Sequence, residues 1–385
     1  MRVLYSVFVF GHGNGGHFYS LKNISQFLTL KGNVNSSLVS IGLNKSKVLE
    51  ESYFFEQKHH IDYCKSILYN KTKINKAVKQ VEPEVIHCFD LFSYYFFRHL
   101  KKSYKIILTQ CGGKNPPYYP ITNSLIVFSK ENYDYFEIKF RSKTKIYHLP
   151  NRVNLEGLVK QDNLNLNQDN INIGLISRIG SQYKAKLLKS IEMLEKYRHL
   201  PMKLYIIGTV QENDVYKLLK EKVECSEFKN SVEFLTDDRF TVNASKLVCN
   251  FDFMIASGRG VMEASCLGVP VLLESKTNNT FLPLDELTFK SALAMNFSPR
   301  WSFSDTTGMD LNSYLERFLI NSKGDTTSFI KKMSFSYFNL ESALNIYLDI
   351  YKAKSKNKNS LLFEFVDKLK HTIYLLNALL KANRH

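Results

Sequence analysis

The chain has 385 residues, 44% of them apolar, and a net charge of +16 at pH 7. This length is enough for two domains with separate cores, and the apolar fraction is that of an ordinary globular protein, not of a disordered or fibrous one. No apolar run approaches the roughly 20 residues that a membrane span needs, and the short run at the start leads directly into glycines, so neither a spanning helix nor a signal peptide is predicted.

The positive charge favours anionic partners: nucleic acid, an acidic membrane face or phosphorylated substrates. Because the lysines are spread along the chain, a solvated basic surface is the alternative. The six cysteines are widely spaced and form no CxxC pair. This spacing predicts neither a zinc site nor a disulfide framework, and we expect reduced cysteines in a cytoplasmic protein.

A glycine-rich loop follows the first predicted strand. The strand covers Val3–Phe10, the loop is GHGNGG at residues 11–16, and a helix is predicted over His17–Leu30. Doubly wound sheets bind ligands outside such strand ends. The spacing is not G-x-G-x-x-G, and no acidic residue ends the second strand, Ser37–Ile41, so a dinucleotide site is not expected. We predict a functional loop here.

Strands and helices alternate up to Leu149, which predicts a parallel α/β domain. The stretch Lys45–His60 is expected to be irregular and Asp62–Val81 to be helical. Asp90 stands just past the strand Glu84–His87, where it is either a general base for an acceptor hydroxyl or the N-cap of the next helix. The remaining predictions are strands at Ile106–Thr109, Leu125–Phe128 and Lys145–Leu149, helices at Leu91–Leu100 and Lys130–Phe140, and a long loop from Gln110 that includes Gly112, Gly113 and Lys114.

Two basic residues follow the first strand of the second predicted domain. The strand is Ile171–Ile176, and Arg178 and Lys184 precede a predicted helix over Lys186–Tyr197. Cations at a helix start oppose the helix dipole, so an anionic ligand would resolve the arrangement. The alternative is two solvated basic residues. The next strand, Lys203–Ile207, ends at Gly208.

The stretch FDFMIASGRGVMEASCLGVPVLL (residues 251–273) reads as strand, glycine turn, short helix and strand. Gly258 and Gly260 would let a ligand approach the backbone, and free amides at the helix start favour an anion. Glu263 lies about one turn into the helix, where a carboxylate can accept hydrogen bonds from sugar hydroxyls. Many doubly wound proteins have such a unit with no ligand, so a structural interpretation stays open.

The segment SGRGVMEASCLGVPVL (residues 257–272) resembles the nucleotide-sugar motif of retaining family-4 glycosyltransferases of the GT-B fold. The resemblance implies an α/β fold of two doubly wound, Rossmann-like domains facing a central cleft. It also implies that the glycine turn and Arg259 meet the donor diphosphate and that Glu263 holds the ribose. By resemblance, Arg178 and Lys184 bind the diphosphate, with Lys186 as the alternative to Lys184.

The implied site has three groups of residues. The donor-binding group is Gly15, Gly16, Arg178, Lys184, Gly208, Ser257, Gly258, Arg259, Gly260 and Glu263. The acceptor-side group is His17, Asp90, Gly112, Gly113 and Lys114. Arg178, Lys184 and Asp90 are the expected catalytic residues, since fixed positive charge stabilises a leaving nucleoside diphosphate.

The chain departs from the family pattern at several positions. Ile255 stands where the family often has an earlier Glu, and Phe89 where it commonly has a histidine. Gln110 and Cys111 replace a loop histidine, and Cys111 is interpreted as a structural residue rather than a nucleophile. The segment IYHLPNRVN (residues 146–154) resembles the family's Pro-Asn-Gly-Val-Asp segment, with Arg152 and Asn154 in place of its glycine and acid.

The resemblance and the composition together divide the chain into five parts. These are an acceptor-side domain (1–154), a polar linker (155–170), a nucleotide-sugar domain (171–325), a helix that crosses back (326–353) and a basic amphipathic helix (354–385). The last helix has Leu362, Phe365, Val366, Leu369, Ile373, Leu376 and Leu380 at helical spacing. We expect it to dock on the protein or on a second copy, or to lie on an anionic membrane face.

The expected function is a hexosyltransferase that moves a sugar from a nucleotide-diphosphate sugar, with UDP favoured, to a glycan or lipid-linked acceptor. Retention follows from the resemblance, and no metal or cofactor is expected because there is no Asp-x-Asp pair. Bacterial capsule or lipopolysaccharide synthesis at the inner face of the membrane is the expected setting, and a homo-oligomer is left open. The alternatives are a sugar-nucleotide epimerase or hydrolase of the same fold and, with no binding motif to support it, a nucleic-acid-binding protein.

Overall fold

The computed structural model describes residues 1–11, 13, 15–63, 67–141, 143–156, 158, 164–303, 308–321, 325–354 and 361–382. It forms two compact units. The first contains Met1–Arg152 together with Leu340–His385, and the second contains Val153–Asn339.

The first unit is built on a seven-stranded, all-parallel sheet with the strand order β3-β2-β1-β4-β5-β6-β7. The strands are β1 (Arg2–Val9), β2 (Asn35–Gly42), β3 (Gln57–Asp62), β4 (Val85–Cys88), β5 (Lys105–Gln110), β6 (Ser124–Val127) and β7 (Lys145–His148). The helices between them are α1 (Gly16–Gly32), α2 (Lys47–Glu50), α3 (Ile67–Val81), α4 (Leu91–Phe97) and α5 (Lys130–Phe140).

The second unit has a six-stranded sheet with the order β10-β9-β8-β11-β12-β13, in which β13 is antiparallel to β12. The strands are β8 (Ile171–Ile176), β9 (Met202–Ile207), β10 (Val232–Leu235), β11 (Phe253–Ala256), β12 (Val271–Leu273) and β13 (Leu282–Pro283). Its helices are α6 (Lys184–Lys196), α7 (Asn213–Glu224), α8 (Asp238–Thr241), α9 (Arg259–Leu267), α10 (Phe289–Ala294), α11 (Leu311–Asn321) and α12 (Asp325–Phe338).

Apolar side chains cover both faces of each sheet. In β1, every residue from Val3 to Val9 is buried, because a central parallel strand contacts helices on both sides. One face of the first sheet packs with Leu21 and Leu28 of α1, and the opposite face with Ile74 of α3 and Phe97 of α4. Both units are therefore three-layered, doubly wound α/β structures.

The chain returns to the first unit through α13 (Leu344–Lys352). The hydroxyl of its Tyr351 lies 2.8 Å from Nδ1 of His87 on β4, and Lys105 donates to the carbonyl of Ile350. Burial lowers the pKa of His87 to about 3, so its ring is a neutral member of the core. The segment predicted as one helix that crosses back (326–353) contains two helices, with a break at residues 339–343 where the chain changes units.

The last helix, α14 (Leu361–Ala382), contacts α4 of the first unit. It docks through polar side chains: Asp367 accepts from Nη2 of Arg98 at 2.8 Å, and Glu364 pairs with Lys101 at 3.0 Å. The expectation that this helix docks on the protein is therefore met within the first unit. None of the helices among the described residues is long and apolar enough to cross a membrane.

Several local expectations were wrong. The stretch expected to be irregular contains α2 and most of β3, whose sequence QKHHID has no alternation and buries only Ile61, as suits an edge strand. Asp62, predicted as the start of a helix, belongs to β3; α3 covers Ile67–Val81, and residues 64–66 of the predicted helix lie outside the described residues. In the second unit, β13, α10 and α11 were not predicted.

Candidate functional site

The carboxyl ends of β9, β8 and β11 lie side by side in the second sheet. From β8 the chain continues to β9 on one side, and it later returns to β11 on the other side. This makes the junction of β8 and β11 the topological switch point, where open α/β sheets bind their ligands. Arg178 follows β8 and Ser257 follows β11, so both stand at this edge.

The glycine turn after β11 has a backbone that favours glycine. Gly258 has φ 56° and ψ −124°, and its amide donates to the carbonyl of Phe297 at 2.8 Å. A Cβ at this position would meet no atom within 4 Å. The turn is therefore held by this hydrogen bond, and the space where a side chain of residue 258 would lie is open. Because the Gly258 amide is already used, the expected anion-binding role passes to the first turn of α9, which contains Gly260 and no acidic residue.

Glu263 is held by a residue of the same turn. Nε of Arg259 donates to Oε1 of Glu263 at 2.6 Å, and Glu263 is only 8% exposed. The two residues are four apart on α9, so they face the same side of the helix. Arg259, expected as a diphosphate ligand, thus fixes the carboxylate that is expected to meet the ribose.

Arg178 is exposed, but contacts with Tyr183 fix the position of its side chain. Its guanidinium lies over the ring of Tyr183, 5.0 Å from the ring centroid, and donates to the Tyr183 hydroxyl. Tyr183 was not among the expected site residues. An aromatic residue five positions after the arginine was the available signal.

The lysines of α6 differ in environment. Lys184 is the first residue of this 13-residue helix and is half-buried, and the first turn contains no acidic residue. Lys186 is buried, which lowers its pKa to about 8 against the attraction of Glu274. The start of α6 therefore carries positive charge, and its first turn has no acidic residue to compensate it. This arrangement favours binding of an anion.

Gly208 has a steric role. A Cβ at Gly208 would lie 1.9 Å from the carbonyl oxygen of Ser177. The loop after β8 therefore passes over the end of β9 only because residue 208 is glycine.

In the first unit, the glycine loop leads into α1. Gly15 is the N-cap of α1, and Gly16, the first helical residue, has open space where a Cβ would be. His17 follows on α1, and burial lowers its pKa to about 4, so the ring is neutral near pH 7.

Asp90 caps α4. Its Oδ1 accepts from the amide of Ser93 and its Oδ2 from the amide of Phe8, each at 2.7 Å. Burial raises its pKa to about 6 in spite of these hydrogen bonds. The capping alternative is therefore present in the structure, and the role as a general base remains a prediction.

The loop after β5 is held by side-chain amides. Gly112 and Gly113 have φ of 96° and 94°, and their carbonyls accept from Gln110 at 2.7 Å and Asn132 at 3.2 Å. Lys114 is exposed. Burial raises the pKa of Cys111, whose thiol lies 3.7 Å from the carbonyl of Phe89, in accord with a structural role.

Two groups of predicted residues thus share strand edges within their own units. In the second unit, Arg178, Lys184, Gly208 and residues 257–263 follow the carboxyl ends of neighbouring strands. In the first unit, the loops after β1, β4 and β5 contain Gly15, Asp90 and Gly112. Ile255 and Phe89, two positions at which the chain departs from the family pattern, are buried in the cores. Among the described residues, no cluster of His, Cys, Asp and Glu is arranged to hold a metal ion.

No protein-family model matches the chain, and no curated protein matches its sequence. Solved structures are similar to it. A glycosyltransferase from Rickettsia africae has a TM-score of 0.63 at 16% identity, over 91% of this chain and 97% of that one. Anabaena Alr3699/HepE in complex with UDP has a TM-score of 0.63 at 13% identity, over 91% and 99%. The UDP-GlcNAc 2-epimerase of Neisseria meningitidis bound to UDP-GlcNAc has a TM-score of 0.57 at 11% identity, over 92% and 100%.

The two doubly wound units and these likenesses define the class of the structure as GT-B. The GT-B fold predicted from the sequence is thereby confirmed. At these identities the likeness defines the fold of the chain.

Proposed function

We propose that the protein is a retaining hexosyltransferase of family 4, which moves a sugar from a UDP-sugar to a hydroxyl of a glycan or lipid-linked glycan. The observation that supports this most directly is the edge of the second sheet at β8 and β11. It combines a positioned cation, Arg178, with an open glycine turn and a buried carboxylate, Glu263.

Each part of this edge has a task in the proposed reaction. The bond between the sugar and the diphosphate breaks, and negative charge develops on the leaving UDP. Arg178, Lys184 and the amides at the start of α9 stabilise that charge without a metal ion. The acceptor oxygen forms a new bond to the anomeric carbon, and its proton passes to the leaving phosphate. Glu263 accepts hydrogen bonds from the ribose.

We propose that the acceptor binds to the first unit. His17, Asp90 and the loop of Gly112, Gly113 and Lys114 contact the acceptor in this proposal, whereas Gly15 and Gly16 meet the donor. We propose that the acceptor belongs to a bacterial surface polysaccharide, capsule or lipopolysaccharide, and that the protein works in the cytoplasm at the inner membrane face.

Thermal unfolding with UDP, GDP, CMP, ADP and their sugars tests the donor site. A ligand that binds the native state at 100 times its Kd stabilises it by about 2.7 kcal/mol. We expect UDP to raise the Tm, and we expect Arg178→Ala and Glu263→Gln to abolish the shift. The matched controls are Arg198→Ala and Glu227→Gln, an exposed pair elsewhere in the second unit, which should retain it. No shift with any nucleotide would contradict the proposal.

A sugar-nucleotide epimerase is the second candidate, favoured by the likeness to the Neisseria epimerase and by Ile255 and Phe89. Release of UDP that depends on an added acceptor and persists in EDTA supports a metal-independent transferase. Epimerisation of the donor without an acceptor supports the epimerase, and UDP release without an acceptor supports a hydrolase.

A further inference from the structure

Helix α14 presents its apolar side to solvent. Its described side chains include five apolar ones that are 40% to 66% exposed: Phe365, Val366, Leu369, Ile373 and Leu376. Asp367, His371 and Leu375 are buried. At about 100° per residue, the five exposed residues span about 100° of the helix circumference, and the buried ones centre on the opposite side. We call the five exposed residues the apolar stripe.

Specific charged contacts lock this orientation. Asp367 and Arg98 form an ion pair at 2.8 Å in which both side chains are more than nine-tenths buried. The hydroxyl of Tyr118 also donates to Asp367 at 2.8 Å. Rotating α14 to bury the apolar stripe would leave these charges buried without partners, which is strongly unfavourable. The exposure of the stripe is therefore a stable feature of the fold.

Lysines lie on both sides of the apolar stripe. On the helical projection, Lys368 precedes Phe365 by about 60° and Lys370 follows Val366 by about 40°. Both lysines are exposed. An apolar stripe between lysines is the pattern of a helix that lies in a membrane interface, where the ammonium groups reach the lipid phosphates.

A basic pocket adjoins the stripe between α3, the end of α4 and α14. It has a volume of about 230 Å³, and Phe365 forms part of its wall. Lys101 and Arg98 in this wall are neutralised by Glu364 and Asp367. Lys71, Lys102 and Lys368 form no salt bridge with any described residue, and burial and the nearby charge of Lys368 both lower the pKa of Lys71. The pocket therefore concentrates cations without enough acids to neutralise them.

We propose that α14 binds an anionic lipid bilayer, with the apolar stripe inserted among the acyl chains and the pocket of Lys71, Lys102 and Lys368 occupied by a lipid phosphate. This specifies the membrane setting of the proposed function, but it is argued from α14 and its neighbours alone. A second copy of the chain is a poorer occupant, because its net charge of +16 would bring two lysine-rimmed surfaces together.

Vesicle sedimentation of the full chain tests the proposal. We expect binding to vesicles of phosphatidylcholine mixed with phosphatidylglycerol, weakened by salt, and roughly tenfold or more weaker binding to phosphatidylcholine alone. The double variants Phe365→Ser/Leu369→Ser and Lys71→Gln/Lys368→Gln should each weaken binding roughly tenfold or more. The matched controls are Lys76→Gln/Lys79→Gln on α3 and Ile346→Ser on α13, all exposed residues of the same unit, and these should bind like the unaltered chain.

Other outcomes would overturn the proposal. Equal binding to both vesicle types, or unchanged binding by both test variants, would contradict it. A switch from dimer to monomer in Phe365→Ser/Leu369→Ser without an effect on vesicle binding would assign the stripe to a second copy. Binding of inorganic phosphate without binding to anionic vesicles would assign the pocket to a free anion. The UDP-induced Tm shift, read on the same variants, reports the donor site separately, so either proposal can fail without the other.

Discussion

Gly258, in the turn after β11, has a backbone conformation that favours glycine. Its φ of 56° and ψ of −124° lie in a region that side chains with a Cβ rarely adopt, although the space around a Cβ is open. The constraint at this position is therefore backbone strain and not crowding.

We expect Gly258→Ala to lower the free energy of unfolding by about 1–3 kcal/mol, the cost of holding a non-glycine residue in such a conformation. Urea unfolding of the variant measures the loss. Gly260→Ala is the matched control, because residue 260 lies in α9 and an added Cβ makes only an ordinary contact with Ala256 at 3.5 Å. An equal free energy of unfolding in the two variants would contradict backbone strain at residue 258.

At the residue scale, the features that could be predicted were those determined by residues close to one another in the sequence. The glycine turn, Glu263 and the cations near the start of α6 are patterns within a few positions. The pairing of Arg259 with Glu263 also follows a local i,i+4 spacing, but the prediction gave each a separate ligand role. Asp90 accepts a hydrogen bond from the amide of Phe8, which is 82 residues away in the sequence. His87 contacts Tyr351, which is 264 residues away. No local pattern specifies either.

At the scale of elements, buried strands and amphipathic helices were predictable because burial imposes a period. Edge strand β3 was missed because only one of its six residues, Ile61, is buried, so burial imposes no alternation on its sequence. The break before α13 was missed because both flanking segments are helical. The side on which α14 docks could not be predicted from its apolar spacing, since the buried ion pair of Arg98 with Asp367 lies on the side opposite most of the apolar residues.

We expect Asp367→Ala to destabilise the packing of α14 by about 3–5 kcal/mol, because the variant leaves Arg98 charged and buried without its partner. Faster hydrogen exchange and proteolysis of α14 would show it. Asp349→Ala, at an exposed position on α13, is the matched control and should leave both unchanged. Arg98→Met/Asp367→Leu should recover much of the loss, because it removes both charges. Failure of this rescue would mean that Asp367 acts through Tyr118 instead.

At the scale of the whole molecule, buried histidines link stability to pH. Burial lowers the pKa of His87 to about 3 and that of His371 to about 3, against an ordinary value of 6.5. Below pH 6.5 the unfolded chain takes up protons that the folded chain does not, so stability falls as the pH falls. Asp90, with its pKa raised to about 6, acts in the opposite direction between pH 6 and pH 4.

We expect each of His87 and His371 to contribute about 2 kcal/mol of lost stability at pH 5 relative to neutral pH. Urea unfolding followed by circular dichroism between pH 7 and pH 5 measures the slope. His87→Gln, which does not titrate, should flatten it, whereas His199→Gln at an exposed position should not. An unchanged slope in His87→Gln would contradict the assignment.

The second unit is continuous in sequence, whereas the first is interrupted by it and needs Leu340–Lys352 to complete its core. Because domains generally fold as units during synthesis, the order of emergence from the ribosome matters. Residues 153–339 can form their complete core while the first 152 residues still lack Tyr347, Ile350 and Tyr351. The segment synthesised first is thus the last to be finished, and in the interval its open apolar face is a surface that a chaperone could protect.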